Sequence, residues 1–368
     1  MSRWEWVHEF RREAQARGDR DRVWLADLHG AAYRFRETDP DVVLRMFREG
    51  RQLAEKLGEP WWSLFYAHWH VVALLHFKYD YRNVLDLAVR NALEARKPLY
   101  EGFPERVHIY DDLVSAYIGI DPDGYAEQIT EALRSLEQQV EAGASARYTV
   151  EGGWREFALE RDRWEEARES ALRTLALADG DPRRHTADHY ASFAYAGLCE
   201  VAFHARDWDR LREYAEAGEE VVRRVGHQVE LSEFILWQAL LARREGNEPK
   251  AMRLCRQAVL KVSRIQMPIA RPYYDGLCAF HELGGRPDRA LPARERELQP
   301  VAGMGRFNYE SRCRLKRCEL LARLGRPFDE ELAAARTVAA RLKHPEKYLE
   351  PLDRLARGEI PPADGGGC

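Results

Sequence analysis

No apolar run in this sequence is long enough to span a membrane. The most hydrophobic stretch, Trp61 to Phe77, covers 17 residues and is interrupted by His68, His70 and His76. A spanning helix needs roughly 20 apolar residues, so this segment reads as a buried helix. No basic-then-apolar leader pattern opens the chain, because Met1-Ser2-Arg3-Trp4-Glu5-Trp6 leads straight into a charged helical pattern. Neither charge sign dominates: 57 basic and 61 acidic side chains leave a formal net charge of -4. A nucleic-acid partner held by phosphate neutralisation is therefore not expected, and neither is a membrane.

Cysteine is scarce. Cys199, Cys255, Cys278, Cys313, Cys318 and Cys368 form no Cys-x-x-Cys pair. Five of them fall inside helical patterns, where a thiol packs as a small apolar group. That placement excludes the disulfide framework of a small secreted domain, and a reducing cytoplasm is the expected compartment. Alternating strand patterns are hard to find. Also missing are a G-x-G-x-x-G after a strand, a P-loop and a G-x-S-x-G motif. These absences favour a binding protein over an enzyme, and no cofactor or metal is expected.

What the chain does contain is helical periodicity and a repeated break. Leu211, Tyr214, Ala215, Gly218, Val221, Val222 and Val225 recur at three- and four-residue spacing, which is one face of a helix. Between such runs lie similar turns. Arg161-Asp162-Arg163-Trp164-Glu165-Glu166-Ala167 matches Arg206-Asp207-Trp208-Asp209-Arg210-Leu211 and Glu245-Gly246-Asn247-Glu248-Pro249-Lys250-Ala251. Gly284-Gly285-Arg286-Pro287-Asp288-Arg289-Ala290 and Gly325-Arg326-Pro327-Phe328-Asp329-Glu330 continue the series, and Lys78-Tyr79-Asp80-Tyr81 and Thr38-Asp39-Pro40-Asp41 extend it upstream. Equivalent positions are about 39 to 45 residues apart, a spacing that signals a solenoid.

The chemistry of the turn is intelligible. A Gly or polar residue ends one helix where a positive φ or a side-chain cap is needed. Asp or Asn then caps the next helix by accepting its free N–H groups. Pro at the start of that helix sacrifices no internal hydrogen bond. A small residue at Ala167, Ala251 or Ala290 lets two helices approach closely.

Gly246-Asn247-Glu248-Pro249-Lys250-Ala251 and Asp162-Arg163-Trp164-Glu165-Glu166-Ala167 resemble the turn and second-helix start of a tetratricopeptide repeat (TPR), whose usual pattern is Gly-Asp-Tyr-Asp-Glu-Ala. The resemblance runs from about residue 24 to 344, with a period longer than the standard 34 residues, as in divergent, long-repeat bacterial members. It implies an all-α fold: a right-handed superhelical solenoid of about eight helix-turn-helix repeats. We expect an N-terminal capping helix over 1–22 and the solenoid over 23–344. A C-terminal capping helix and flexible tail should follow over 345–368.

In such a solenoid the first helix of each unit lines the inner surface, where ligands sit. Trp62, Tyr66 and Trp69 form an aromatic stripe there, readable as ligand contact or as core. His108, Asp111 and Asp112 are polar at helical spacing, and a groove carboxylate suits a basic side chain or an amino group. His185 and His189 stand at i and i+4. However, no Glu follows the first His as in His-Glu-x-x-His, and Glu200 is about 16 Å further along the helix. They read as polar groove lining and not as a metal site. Glu233, Trp237, Tyr274, Asp275 and Arg312 are the parallel candidates downstream, with Arg271 beside them.

A groove mixing aromatic surface with both charge signs suits an extended protein or peptide segment. The expected function is thus a peptide- or protein-binding scaffold. A ligand-sensing regulator acting through protein contacts, and a repeat-fold enzyme or accessory subunit, are the alternatives.

Overall fold

The structure is a computed structural model that describes residues 3–36, 38–140, 146–265 and 271–361. Eighteen α-helices occur among the described residues. The first seven are α1 (Arg3–Ala16), α2 (Arg20–Tyr33), α3 (Pro40–Leu57), α4 (Pro60–Val72), α5 (Tyr81–Ala95), α6 (Arg106–Ile120) and α7 (Ala126–Gln139). Next come α8 (Ala146–Glu160), α9 (Trp164–Asp179), α10 (Arg184–His204), α11 (Trp208–Val225), α12 (Gln228–Arg244) and α13 (Glu248–Val262). The last five are α14 (Arg271–Leu283), α15 (Pro287–Val301), α16 (Phe307–Arg323), α17 (Asp329–Ala339) and α18 (Glu346–Ala356). A π-helical turn, Ala73–Lys78, continues α4. No helix among the described residues is long and apolar enough to cross a membrane.

The recurring turn has one backbone conformation. Tyr79, Asp162, Arg206, Gly246, Gly285 and Gly325 occupy equivalent positions, and all six have positive φ, between 55° and 76°. The following N–H then reaches back five residues to close the helix end. Arg163 N bonds Ala158 O, Asp207 N bonds Ala202 O and Asn247 N bonds Ala242 O, each at 2.9 Å, and Arg326 N bonds Leu321 O at 3.0 Å. This is the Schellman arrangement, which satisfies a carbonyl that the helix leaves bare. At Tyr79 the reach is six residues, from Asp80 N to Leu74 O, because the π-turn adds one.

The capping residues act as the sequence pattern anticipates. Asp19, Asp39, Asp207 and Asn247 each accept a hydrogen bond from the backbone three residues on. Ala167, Ala251 and Ala290 are buried to within 1%, so helices pack close at each small position. Closer contacts use glycine. A Cβ on Gly218 of α11 would lie 2.4 Å from the Phe234 ring, and one on Gly50 of α3 would lie 2.8 Å from Tyr66.

Packing separates two compact units, Met1–Tyr117 with Thr130–Val140, and Ile118–Ile129 with Glu141–Cys368. Within each, consecutive helices pair and the pairs stack. The core of the first unit is aromatic: Trp6 stacks on Trp62 at 4.4 Å, and Phe65, Tyr66, Trp69, Phe47 and His29 fill in around them. The second unit's largest core is built on α10 to α15 around Trp237, Phe234 and Phe280.

Candidate functional site

Helix α4 presents three different surfaces, and each has a different fate. The first points into the aromatic core. Trp62 is 1% exposed and Tyr66 wholly buried, with the Tyr66 hydroxyl donating to the Leu25 carbonyl at 2.5 Å. Trp69 lies against His29, Tyr33 and Phe47. This aromatic stripe is therefore occupied by packing, as are the fully buried Trp237 beside Phe203 and the buried Tyr274 and Glu233 of the second unit. Of the side chains offered as ligand contacts, Trp62, Tyr66, Trp69, Trp237, Tyr274 and Glu233 are all buried within their own units. On α4 and α12 the buried positions run round most of the helix, so one apolar face cannot be told from another.

The second surface carries His68, which the sequence reading did not single out. Its Nδ1 lies 2.6 Å from Asp112 Oδ2, and its Nε2 lies 3.5 Å from Glu105 Oε2. All three residues are at most 4% exposed. Burial alone would lower the histidine's pKa, but the Asp112 and Glu105 carboxylates outweigh it and carry it to about 9. His68 is thus clamped between two acidic side chains, and burial pushes the Asp112 carboxyl up in turn despite the neighbouring His68. The His108 ring stacks parallel to it at 6.3 Å, and His108 and Asp111 are half-buried on the same helix, α6.

The third surface is hollow. Here α4 places Ser63, Leu64, Ala67 and His70 between α3 and α5, and the two small residues leave a cavity of about 650 Å³. A second hollow of about 170 Å³ adjoins it through Arg51, Ala67, Leu87 and Asn91, with His70 in its wall. The volume falls in the range of sites that enclose small ligands or peptide side chains. Arg48 and Arg51 of α3 and Arg90 and Lys97 from α5 and beyond supply four cations, against two carboxylates, Glu55 and Glu94. Glu55 accepts from Arg51 Nε at 2.9 Å, while Glu94 pairs with Lys97 at 2.6 Å and accepts from the Tyr100 hydroxyl at 3.1 Å.

Two buried polar atoms in this hollow have no hydrogen-bond partner among the described residues: Asn91 Nδ2 and His70 Nδ1. Asn91 is 7% exposed, and a buried donor left unpaired costs about 1–3 kcal/mol. Burial, then Arg48 and Arg51, lower the His70 pKa, so the ring is neutral. One trace of this existed in the sequence. Asn91 interrupts the buried stripe Tyr81, Val84, Ala88, Ala92 and Ala95 of α5.

In the second unit the expected charged residues enter a buried ionic seam. Glu160, at the end of α8, accepts from Asn308 Nδ2 at 2.9 Å and from Arg306 at 3.4 Å, with Arg271 Nη1 at 3.8 Å. Arg271 also pairs with Glu200. Arg312 donates to Asp162 at 2.8 Å, and Lys347 reaches the same carboxylate at 2.6 Å. Burial would raise the Glu160 and Asp162 pKa values, yet the surrounding cations hold both below the ordinary carboxylate range. Asp275 pairs with Arg294, which also bonds Glu297. The seam joins α8, α10, α14, α16 and α18. Its sequence signals, isolated Arg and Glu on otherwise apolar helices, do not reveal which of them meet.

His185 and His189 are not brought together with Glu200. His185 is exposed, whereas His189 Nδ1 meets His227 Nε2 at 3.2 Å, and Ser192 Oγ lies 3.3 Å from the other His227 nitrogen. Burial first, then the neighbouring His227 and His185, lower the His189 pKa to about 4. It is a neutral, packed histidine at pH 7.

No protein-family model matches the chain, and no curated protein matches it. Among solved structures it is similar to a Rap protein complexed with competence and sporulation factor. That match has 12% identity and a TM-score of 0.60, over 95% of this chain and 97% of that one. Yeast Tom70 aligns at 11% identity and a TM-score of 0.39, over 92% of this chain and 89% of its own. The first of these shows the fold. The chain is an all-α, TPR-like helical-repeat protein, the class its turn motifs resemble.

Proposed function

We propose that this chain is a protein- or peptide-binding scaffold. The observation that carries the reading is the fold correspondence with a Rap protein that was captured with a bound factor, a match covering nearly the whole of both chains. Repeat folds of this kind serve by presenting surface, and their partners are read by side chains set on rigid helices. The hollow between α3 and α5, with its cations and unpartnered polar atoms, supports the same reading. So do His108, Asp111 and the exposed His185, which remain at or near the surface of their units.

The test is affinity capture from the native host with the full chain, followed by titration of each retained species in purified form. Saturable binding of a defined protein or peptide is the expected result. A chain that retains no polypeptide and instead turns over a small molecule overturns the reading in favour of a repeat-fold enzyme.

A further inference from the structure

The hollow lies between the second helices α3 and α5 and is floored by Ser63, Leu64 and Ala67 of the first helix α4, with Tyr66 in the wall of its smaller part. Its chemistry is specific. Asn91 Nδ2 is a donor with no acceptor. His70 Nδ1 is an acceptor with no donor, in the tautomer that keeps the ring N–H toward the Leu44 carbonyl. A donor and an acceptor in one wall complement the C=O and N–H of a peptide unit.

Around this pair the groove is aliphatic, through Leu64 and Leu87, and its rim carries more cation than anion. Lys97 and Arg51 already have carboxylate partners. Arg90 is exposed and makes no hydrogen bond or ion pair among the described residues. A guanidinium with its fork unused is a carboxylate site. Glu55 and Glu94 disfavour a polyphosphate backbone. The one ring lining the larger hollow, Tyr100, is 5% exposed, so no open aromatic platform for stacking bases is offered.

We infer that this groove binds a short acidic peptide segment, with Arg90 holding a carboxylate, Asn91 and His70 a backbone amide, and Leu64 and Leu87 an aliphatic side chain. The inference rests on the scaffold reading above and assigns that reading a site and a ligand class. It also gives the buried Asn91 amide a partner. A buried amide without a partner destabilises the free protein, and a bound peptide would satisfy it.

The experiment uses the full chain and fluorescence anisotropy with two labelled hexapeptide libraries. One mixes Asp and Glu with Leu and Val; in the other Asn and Gln replace the acids. The wild type is expected to bind the acidic library and to bind the neutral one at least tenfold more weakly. Arg90→Glu, a surface change that leaves the fold intact, should weaken the acidic library at least tenfold. Asn91→Leu should do the same while leaving the melting temperature unchanged or higher, because it replaces an unpaired polar group by an apolar one of similar size. A structural role for Asn91 would lower that temperature instead.

Equal binding by wild type and both variants overturns the groove assignment and leaves the scaffold reading standing. Preference for the neutral library, or for a single-stranded oligonucleotide lost on the same substitutions, overturns it too. Failure of the wild type to bind either library, while it retains a protein from the host, removes the groove alone. Failure in both assays removes the scaffold reading with it.

Discussion

His68 Nδ1 and the Asp112 carboxylate meet at 2.6 Å, both almost out of reach of solvent. The contact binds α4 to α6 through a charge and not through apolar packing, and it makes the first unit sensitive to alkali. His68 has its pKa raised to about 9, so its contribution to stability is fully present below its unfolded value of about 6.5 and is lost as pH rises through 9. His189 has the opposite sign. Its pKa is lowered to about 4, so its contribution is present above 6.5 and is lost as pH falls through 4. Urea melts from pH 4 to 10 should show both limbs. His68→Gln should remove the alkaline limb and His189→Gln should shrink the acid one. Identical pH profiles for wild type and variants would refute the assignments.

Glu160 is the hub of the second unit's seam, answering Arg306, Asn308 and Arg271. Removing it takes one carboxylate from Arg306 and from Arg271, which keeps Glu200, a loss below the about 3–5 kcal/mol of a buried charge left with no partner. Glu160→Ala should therefore lower the urea midpoint of the second unit. Amide exchange should quicken in α14 and α16 before it does in α11 and α12. Glu160→Gln, which keeps an acceptor for Asn308, should cost less.

Gly218 lies on the face of α11 that meets Phe234, where an added Cβ would stand 2.4 Å from the ring. In an exposed helix the change to Ala would stabilise, since Gly costs about 1 kcal/mol relative to Ala. Here steric conflict wins. Gly218→Ala should destabilise by about 1–3 kcal/mol, measured by thermal or chemical unfolding, and a stabilised variant would show that α11 and α12 are further apart than described.

Arg206 gives the reverse case. It holds a φ of 56° at the position where Gly246, Gly285 and Gly325 stand in other turns. The left-handed region costs a residue with a Cβ about 1–2 kcal/mol, and the exposed Arg206 side chain has no hydrogen bond or ion pair among the described residues. After the larger unfolded-state entropy of glycine, Arg206→Gly should stabilise by about 0.5–1 kcal/mol. Asp162→Gly, at the equivalent turn with φ 59°, should not, because that carboxylate binds Arg312 and Lys347.

What could be read from the sequence, and what could not, divides along one physical line. The turns at Asp162, Arg206, Gly246 and Gly285 were legible because capping and left-handed φ are local demands on residue type. So was the stripe of α11, since Leu211, Ala215, Gly218 and Val222 are all buried on a helix otherwise polar. Helices α4 and α12 were not, because most of their residues are buried and the buried positions run round the helix. Periodicity then carries no direction, and Trp62 or Trp237 is equally compatible with groove and core. The groove between α3 and α5 needs a pairing of distant helices, and Asn91 on a buried stripe was its only local sign.

The seam has a consequence for the order in which the second unit matures during synthesis. In most repeat arrays each unit rests on its neighbours, so early repeats can settle while later ones are still being made. Here Asp162 meets Arg312 and Glu160 meets Asn308 across 150 and 148 positions of chain, and Lys343 N bonds Asp121 across 222. On the ribosome, Glu160 and Asp162 at the end of α8 emerge before Asn308, Arg312 and Lys347, and they acquire these partners only when α16 and α18 arrive. Contacts of such separation slow folding. A nascent chain halted before residue 300 should therefore be protease-sensitive at the end of α8, and one released after residue 357 should be protected there.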